Sequence, residues 1–186
     1  MPYSIALYLD PETDAKVRYI WKSLAENKYA EYLHESGNRP HITLGIYEDI
    51  DLAKAEKLLE ETNQTLLSFP LVFEYIGLFA QKPLTVFWGP AMTPQLQRLH
   101  DYITWQCSKF CVEPDFSYYH VGQWVPHCSL ATEVKDYMLL FQIIDFCRQL
   151  PNPHKAWVEE IGWISFRPIK QIRSVKLRDS AARKKD

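Results

Sequence analysis

Pro40-His41-Ile42-Thr43-Leu44 recurs, nearly half the chain later, as Pro126-His127-Cys128-Ser129-Leu130. Ordinary residue usage makes an accidental pair of H-x-[S/T]-L tetrapeptides an event on the order of one in a thousand in a chain of this length. The proline shared by both copies lowers the odds further, so the repeat reads as one arm duplicated, one copy per half. In an extended strand, residues i and i+2 face the same way, roughly 6–7 Å apart. His41 therefore projects with Thr43, and His127 with Ser129, while Ile42, Leu44, Cys128 and Leu130 turn toward a core. A histidine holds or releases a proton near neutral pH, and a hydroxyl two residues on can hydrogen-bond an anionic oxygen. Two such pairs facing each other would grip one phosphate from both sides. One neutral imidazole would take a proton from the nucleophile while the other, protonated, gives one to the leaving oxygen. The scheme calls for no metal and no cofactor.

Blander readings exist. A lone strand histidine is usually a buried, satisfied one, but the doubled proline, hydroxyl and leucine argue against that here. A zinc site would need a third protein ligand. His120 is available, but no carboxylate stands at a helpful spacing. The sequence holds no G-x-S-x-G elbow, Walker A loop, G-x-G-x-x-G or H-E-x-x-H.

Working outward, residues 3–9 alternate as a strand, with Ile5, Leu7 and Leu9 on one face and Ser4, Ala6 and Tyr8 on the other. Asp10-Pro11-Glu12-Thr13-Asp14 reads as a helix start. Val17, Ile20, Trp21 and Leu24 continue that helix to about residue 35, with a break near Asn27. Residues 41–47 form the first motif strand, and Asp51 to about Leu67 a helix. Strands at 70–79 and 84–89 follow, joined by a turn around Gln81-Lys82-Pro83. Thr93 caps a helix to about Phe110. A loop at 112–125 leads to the second motif strand at 127–132. The stretch 133–149, rich in Met138, Leu139, Leu140, Phe141, Ile143, Ile144 and Phe146, is expected as a largely buried helix stopped by Pro151 and Pro153. Strands at 156–166 and 171–178 complete the fold. The expected class is α+β: a single bilobal domain over 1–178, pseudo-twofold, with two antiparallel sheets lining a central cleft and helices outside. Residues 179–186 are expected to be a basic, disordered tail.

The chain has 186 residues, 47% of them hydrophobic, enough to build a core. Net charge is −2, which by itself points to no nucleic acid. The C-terminal end is nonetheless basic, with Arg167, Lys170, Arg173, Lys176, Arg178, Arg183, Lys184 and Lys185 against Asp179 and Asp186. That strip is either a phosphate contact or a solvated strand face with a soluble tail. Cys107, Cys111, Cys128 and Cys147 form no C-x-x-C pair and read as reduced thiols. No run approaches the roughly 18 apolar residues of a membrane helix. A cytoplasmic monomer without an obligate protein partner or membrane association is expected.

The twin motifs resemble those of the 2H phosphoesterase superfamily, which includes 2′-5′ RNA ligase-like proteins, cyclic nucleotide phosphodiesterases and 2′,5′-oligoadenylate phosphodiesterases. The resemblance extends over roughly residues 3–178. It implies a bilobal α+β fold with both motifs on the floor of a cleft. It also implies metal-independent cleavage of phosphodiesters, often 2′,3′-cyclic phosphates or 2′-5′ linkages, with a nucleotide or RNA end as substrate. By this resemblance His41 and His127 are the acid–base pair and Thr43 and Ser129 the phosphate holders. The ligase-like branch often carries a basic residue soon after a motif; here Gly45 and Ala131-Thr132 stand there. RNA ligase-like activity and a non-catalytic module that binds a nucleotide or RNA end are the alternatives.

Substrate-binding candidates are aromatic. Tyr8 can stack on a base if its face lines the cleft, a contact worth about 1–3 kcal/mol. Of Phe87 and Trp88, one must face the core; Trp88 is taken as the cleft residue. Tyr119, with Tyr118, His120 and Trp124, belongs to a loop that can wall the cleft. His34, His100 and His154 read as surface or packing positions.

Overall fold

The computed structural model describes residues 2–81, 83–114 and 118–180. Strand β1 (Tyr3–Leu9) leads into helix α1 (Pro11–Glu26). The expected start signals operate there: Asp10 accepts from the Thr13 amide at 2.9 Å and Pro11 opens the first turn. The helix stops before Asn27, and Lys28 takes a left-handed φ of 59°. A short α2 (Tyr32–Glu35) precedes the first motif strand β2 (His41–Tyr47). After β3 (Asp49–Ile50), α3 (Leu52–Thr65) is capped by Asp51, which accepts from the amides of Ala53 and Lys54. The hairpin β4 (Phe69–Phe79) and β5 (Leu84–Pro90) and the Thr93-capped α4 (Pro94–Cys107) come next. Then follow β6 (Cys111–Val112), the second motif strand β7 (Cys128–Val134), α5 (Leu140–Cys147), β8 (His154–Ser165) and β9 (Lys170–Lys176).

The class is α+β, and both sheets are antiparallel. The larger, of seven strands, runs β2-β1-β8-β4-β5-β7, with β9 also on β8; the smaller is the β3–β6 ribbon. The order reveals the duplication. Each half reads strand, helix, motif strand, helix, strand: β1-α1-β2-α3-β4, then β5-α4-β7-α5-β8. The last strand of each half is given away, since β4 pairs with β5 of the second half and β8 with β1 of the first. These two donated strands pair with each other through Phe69–Phe73 and His154–Val158. The division between the two sheets is therefore seven strands and two, because the exchange joins the strands of both halves into one sheet.

Register carries the symmetry to single residues. Thr43 pairs with Ala6 and Ile42 with Leu7; Ser129 pairs with Phe87 and Cys128 with Trp88. Ile42, Leu44, Cys128 and Leu130 are buried in the core. The ends of the sheet, β2 and β7, come into contact, and each is held by the other half. The Trp21 indole on α1 donates to the Ser129 carbonyl at 3.0 Å. The Trp124 indole donates to the Thr43 carbonyl at 3.0 Å.

One expectation fails. The apolar stretch 133–149 is a turn of 3₁₀ helix (Tyr137–Leu139) followed by the eight residues of α5, and most of it faces outward. Within α5 only Ile143 and Cys147, one helical turn apart, are buried, while Met138 and Phe141 are each 78% exposed. A two-turn helix lying on a sheet hides one stripe, whatever the composition of its other side. Of the expected tail, residues 181–186 lie outside the described residues. The Ser180 amide still donates to the Ser68 hydroxyl at 3.1 Å.

Candidate active site

The proline of each motif has a local purpose. His41 Nδ1 lies 2.5 Å from the Arg39 carbonyl, and His127 Nδ1 lies 2.7 Å from the Val125 carbonyl. A residue before proline is driven to extended backbone, so the carbonyl two residues upstream is fixed beneath the ring. A carbonyl only accepts, so Nδ1 carries the hydrogen and each neutral ring keeps its Nε2 lone pair free. Both imidazoles are held below the usual histidine pKa of 6.5, chiefly by burial. The His127 charge and the Arg39 guanidinium press His41 down further.

The four motif residues meet in one cleft. A cavity of about 190 Å³ is lined by His41, Thr43, His127 and Ser129, together with Tyr119, Thr132 and others. A second, of about 320 Å³, continues past His127 and Ser129 between Phe79, Pro83, Tyr118 and Gln123. Among the described residues no lysine or arginine lines either cavity. Likewise, no group of three or more His, Cys, Asp or Glu side chains among them is arranged to hold a metal. His120 stands off the cleft, 3.5 Å from Glu113. The motif residues offer a phosphate two imidazoles and the hydroxyls of Thr43 and Ser129, and Ser4, Tyr32, Asn38 and Tyr119 also line the smaller cavity.

The three aromatic candidates separate. Tyr119 is in the cleft: its ring centroid is 6.5 Å from that of His127, and its hydroxyl is hydrogen-bonded to Thr43. Burial pushes its pKa up to about 12. Tyr8 lies beside His41, with ring centroids 6.3 Å apart, but it is 1% exposed. The Arg39 guanidinium sits 3.9 Å from the Tyr8 ring centroid and occupies the face a base would use, so Tyr8 offers no open stacking platform. Trp88 is on the core side. It is fully buried, stacked on Phe73 at 4.4 Å, and donates to Asn152 at 2.7 Å. Phe87 is the cleft residue instead, 5.3 Å from the His127 ring and stacked on Phe79 at 4.5 Å. The choice follows from register, because Phe87 pairs with Ser129 and shares its face. Gly77 makes room for that ring: a Cβ there would lie 2.2 Å from Phe87.

The clamping tryptophans and Arg39 are what the sequence reading missed. Arg39 stands next to the motif proline, and that position was the available signal. Of the packing histidines, His100 is fully buried, stacks on Trp124 at 4.1 Å, and donates from Nε2 to the Tyr119 carbonyl at 2.9 Å. His154 is 3.0 Å from the Thr13 hydroxyl.

A duplicated strand motif bringing two histidines and two hydroxyls into one cleft defines the class of two-histidine phosphoesterases. The chain belongs to the 2′-5′ RNA ligase superfamily, whose family model matches residues 11–167. Its fold is similar to that of E. coli LigT in complex with 3′-AMP, at 18% identity and a TM-score of 0.58, with 95% of this chain and 99% of that one covered. LigT in complex with ATP matches at 17% identity and a TM-score of 0.55, covering 95% and 97%. TT0787 of Thermus thermophilus matches at 13% identity and a TM-score of 0.65, covering 97% and 100%. Among curated proteins none matches in sequence. No helix among the described residues is long and apolar enough to cross a membrane.

Proposed function

We propose that this protein is a metal-independent phosphoesterase that hydrolyses a nucleotide or RNA phosphodiester, either a 2′,3′-cyclic phosphate or a 2′-5′ linkage. The observation that carries the reading is the pair of imidazoles in one cleft, each with Nδ1 tied to a backbone carbonyl and Nε2 free. On a cyclic phosphate, water attacks phosphorus while one imidazole accepts its proton. The bond from phosphorus to the ribose oxygen breaks, and the other, protonated imidazole supplies the proton that oxygen needs. On a 2′-5′ link the ribose 3′-hydroxyl attacks, and the 5′-oxygen leaves with the donated proton. Thr43 and Ser129 hold the non-bridging oxygens, and the histidines exchange roles between steps. Tyr119 and the aromatic wall beside His127 give a base an apolar surface. Nucleotides bound to LigT, such as 3′-AMP and ATP, fit the same substrate class. The free thiols of Cys107, Cys128 and Cys147, all buried, suit the reducing cytoplasm.

Ligase-like action is the reverse of the same chemistry, and the family's name favours keeping it as the second reading. The test is turnover of a nucleoside 2′,3′-cyclic phosphate under excess chelator. Wild type is expected to turn over, and His41→Ala and His127→Ala to lose about 10²–10⁴-fold each. Full activity in either variant defeats the proposal. Joining of RNA halves without hydrolysis would move it to the ligase, and tight binding without turnover of cyclic or 2′-5′ substrates to a binding module.

A further inference from the structure

The two halves agree at the motifs and differ beside them. The carbonyl under His41 belongs to Arg39, while the one under His127 belongs to Val125. Arg39 has a fixed address. Its guanidinium lies on the Tyr8 ring and grips Glu160 with both nitrogens, at 3.0 and 2.8 Å. Glu160 is the strand partner of Tyr8, whose hydroxyl donates to Gln171 at 2.8 Å. A two-pronged fork of this kind fixes orientation as well as position. His127 instead has the uncharged rings of Phe79, Phe87 and Tyr119 around it.

A fixed cation beside an imidazole opposes a second positive charge there. Among the described residues, the titratable groups around His41 include His127 across the cleft, and Tyr8, Tyr119 and Cys128, whose ionisation burial pushes up. Asp14 on α1 is within influence of Arg39 but is held by Arg18. Charge therefore bears on His41, whereas burial alone holds down His127.

We infer that the Arg39–Glu160 ion pair divides the labour between the two histidines in the step that starts from the free protein, making His41 the acceptor of the nucleophile's proton and His127 the donor to the leaving oxygen; any step that follows directly runs with the roles exchanged. Arg39 is a positioning residue in this scheme, and the scheme rests on the phosphoesterase reading.

The test has two readouts on the intact protein. The first is NMR titration of both imidazoles without substrate. Arg39→Met should raise the apparent His41 pKa by about half to one pH unit, and Glu160→Gln should leave it unmoved or lower it. Arg39→Lys, which keeps the charge, should restore it, and His127 should barely respond. A structural support would move His41 the same way in Arg39→Met and Glu160→Gln, and that result overturns the inference. If Arg39→Met does not fold, Arg39→Lys and Glu160→Gln carry the comparison. The second readout is a nucleotide p-nitrophenyl ester, whose leaving group needs little protonation. His127→Ala should lose at least about tenfold less on this ester than on the cyclic phosphate, and His41→Ala should lose alike on both. The opposite pattern overturns the assignment. Failure of wild type on every ester would instead sink the phosphoesterase reading, and the division of labour with it, leaving the titration result intact.

Discussion

Both motif histidines are neutral in the free protein at pH 7, because burial holds their pKa values below 6.5. On the proposed mechanism one must be protonated and the other not. The free protein meets that condition only between two depressed values, so kcat/KM should peak on the acid side of 6.5. A bound phosphate's negative charge raises both values, so kcat should peak at higher pH than kcat/KM. Paired pH profiles check this, and a kcat/KM optimum above pH 8 contradicts it. The same shifts govern stability. His41, His100, His127 and His154 are all depressed, so the unfolded chain binds protons near 6.5 before the folded one does. Their contribution is complete above that value and is lost as pH falls below it. The urea midpoint should therefore drop between pH 7 and pH 5.

At the scale of elements, the motif strands depend on tryptophans from the opposite half. Trp124→Phe leaves the buried Thr43 carbonyl without its donor, a change expected to cost about 1–3 kcal/mol. It should also lower turnover, because the Thr43 hydroxyl shares that backbone. Urea denaturation and kcat measured on one preparation test both. The element most legible in the sequence was the motif strand: alternation put Ile42, Leu44, Cys128 and Leu130 inside without any knowledge of neighbours. The Thr93 cap and the helix starts at Asp10 and Asp51 were equally local and equally legible. What alternation cannot supply is phase between strands. Which of Phe87 and Trp88 faces the cleft is set by pairing with β7, and the covering of Tyr8 by Arg39 joins residues distant in the chain. The outward side of α5 was misread for a related reason, since composition reports hydrophobicity and not how much neighbouring surface exists to hide it. Phe141→Glu should accordingly change stability by no more than about 0.5 kcal/mol, leave turnover intact, and improve solubility in a concentration series.

For the whole molecule, the duplication seen as two short motifs proves to be a repeated five-element unit in which each unit lends its last strand to the other. The halves are thus joined by backbone ladders on both sides of β4 and β8, with the Trp21 and Trp124 side chains adding cross-links at the motif strands. Unfolding should be a single cooperative event, with tryptophan fluorescence and far-ultraviolet dichroism giving the same midpoint. The exchange also makes the chain divisible. If the backbone is opened at the turn between β4 and β5, each fragment holds one complete motif and an edge that only the other's final strand satisfies. Such fragments, inert apart, should recognise one another when coexpressed and rebuild a working cleft. The covalent link between them would then be a convenience of synthesis, and a single unit carrying its own motif would have had a natural route to the same cleft by pairing with its copy.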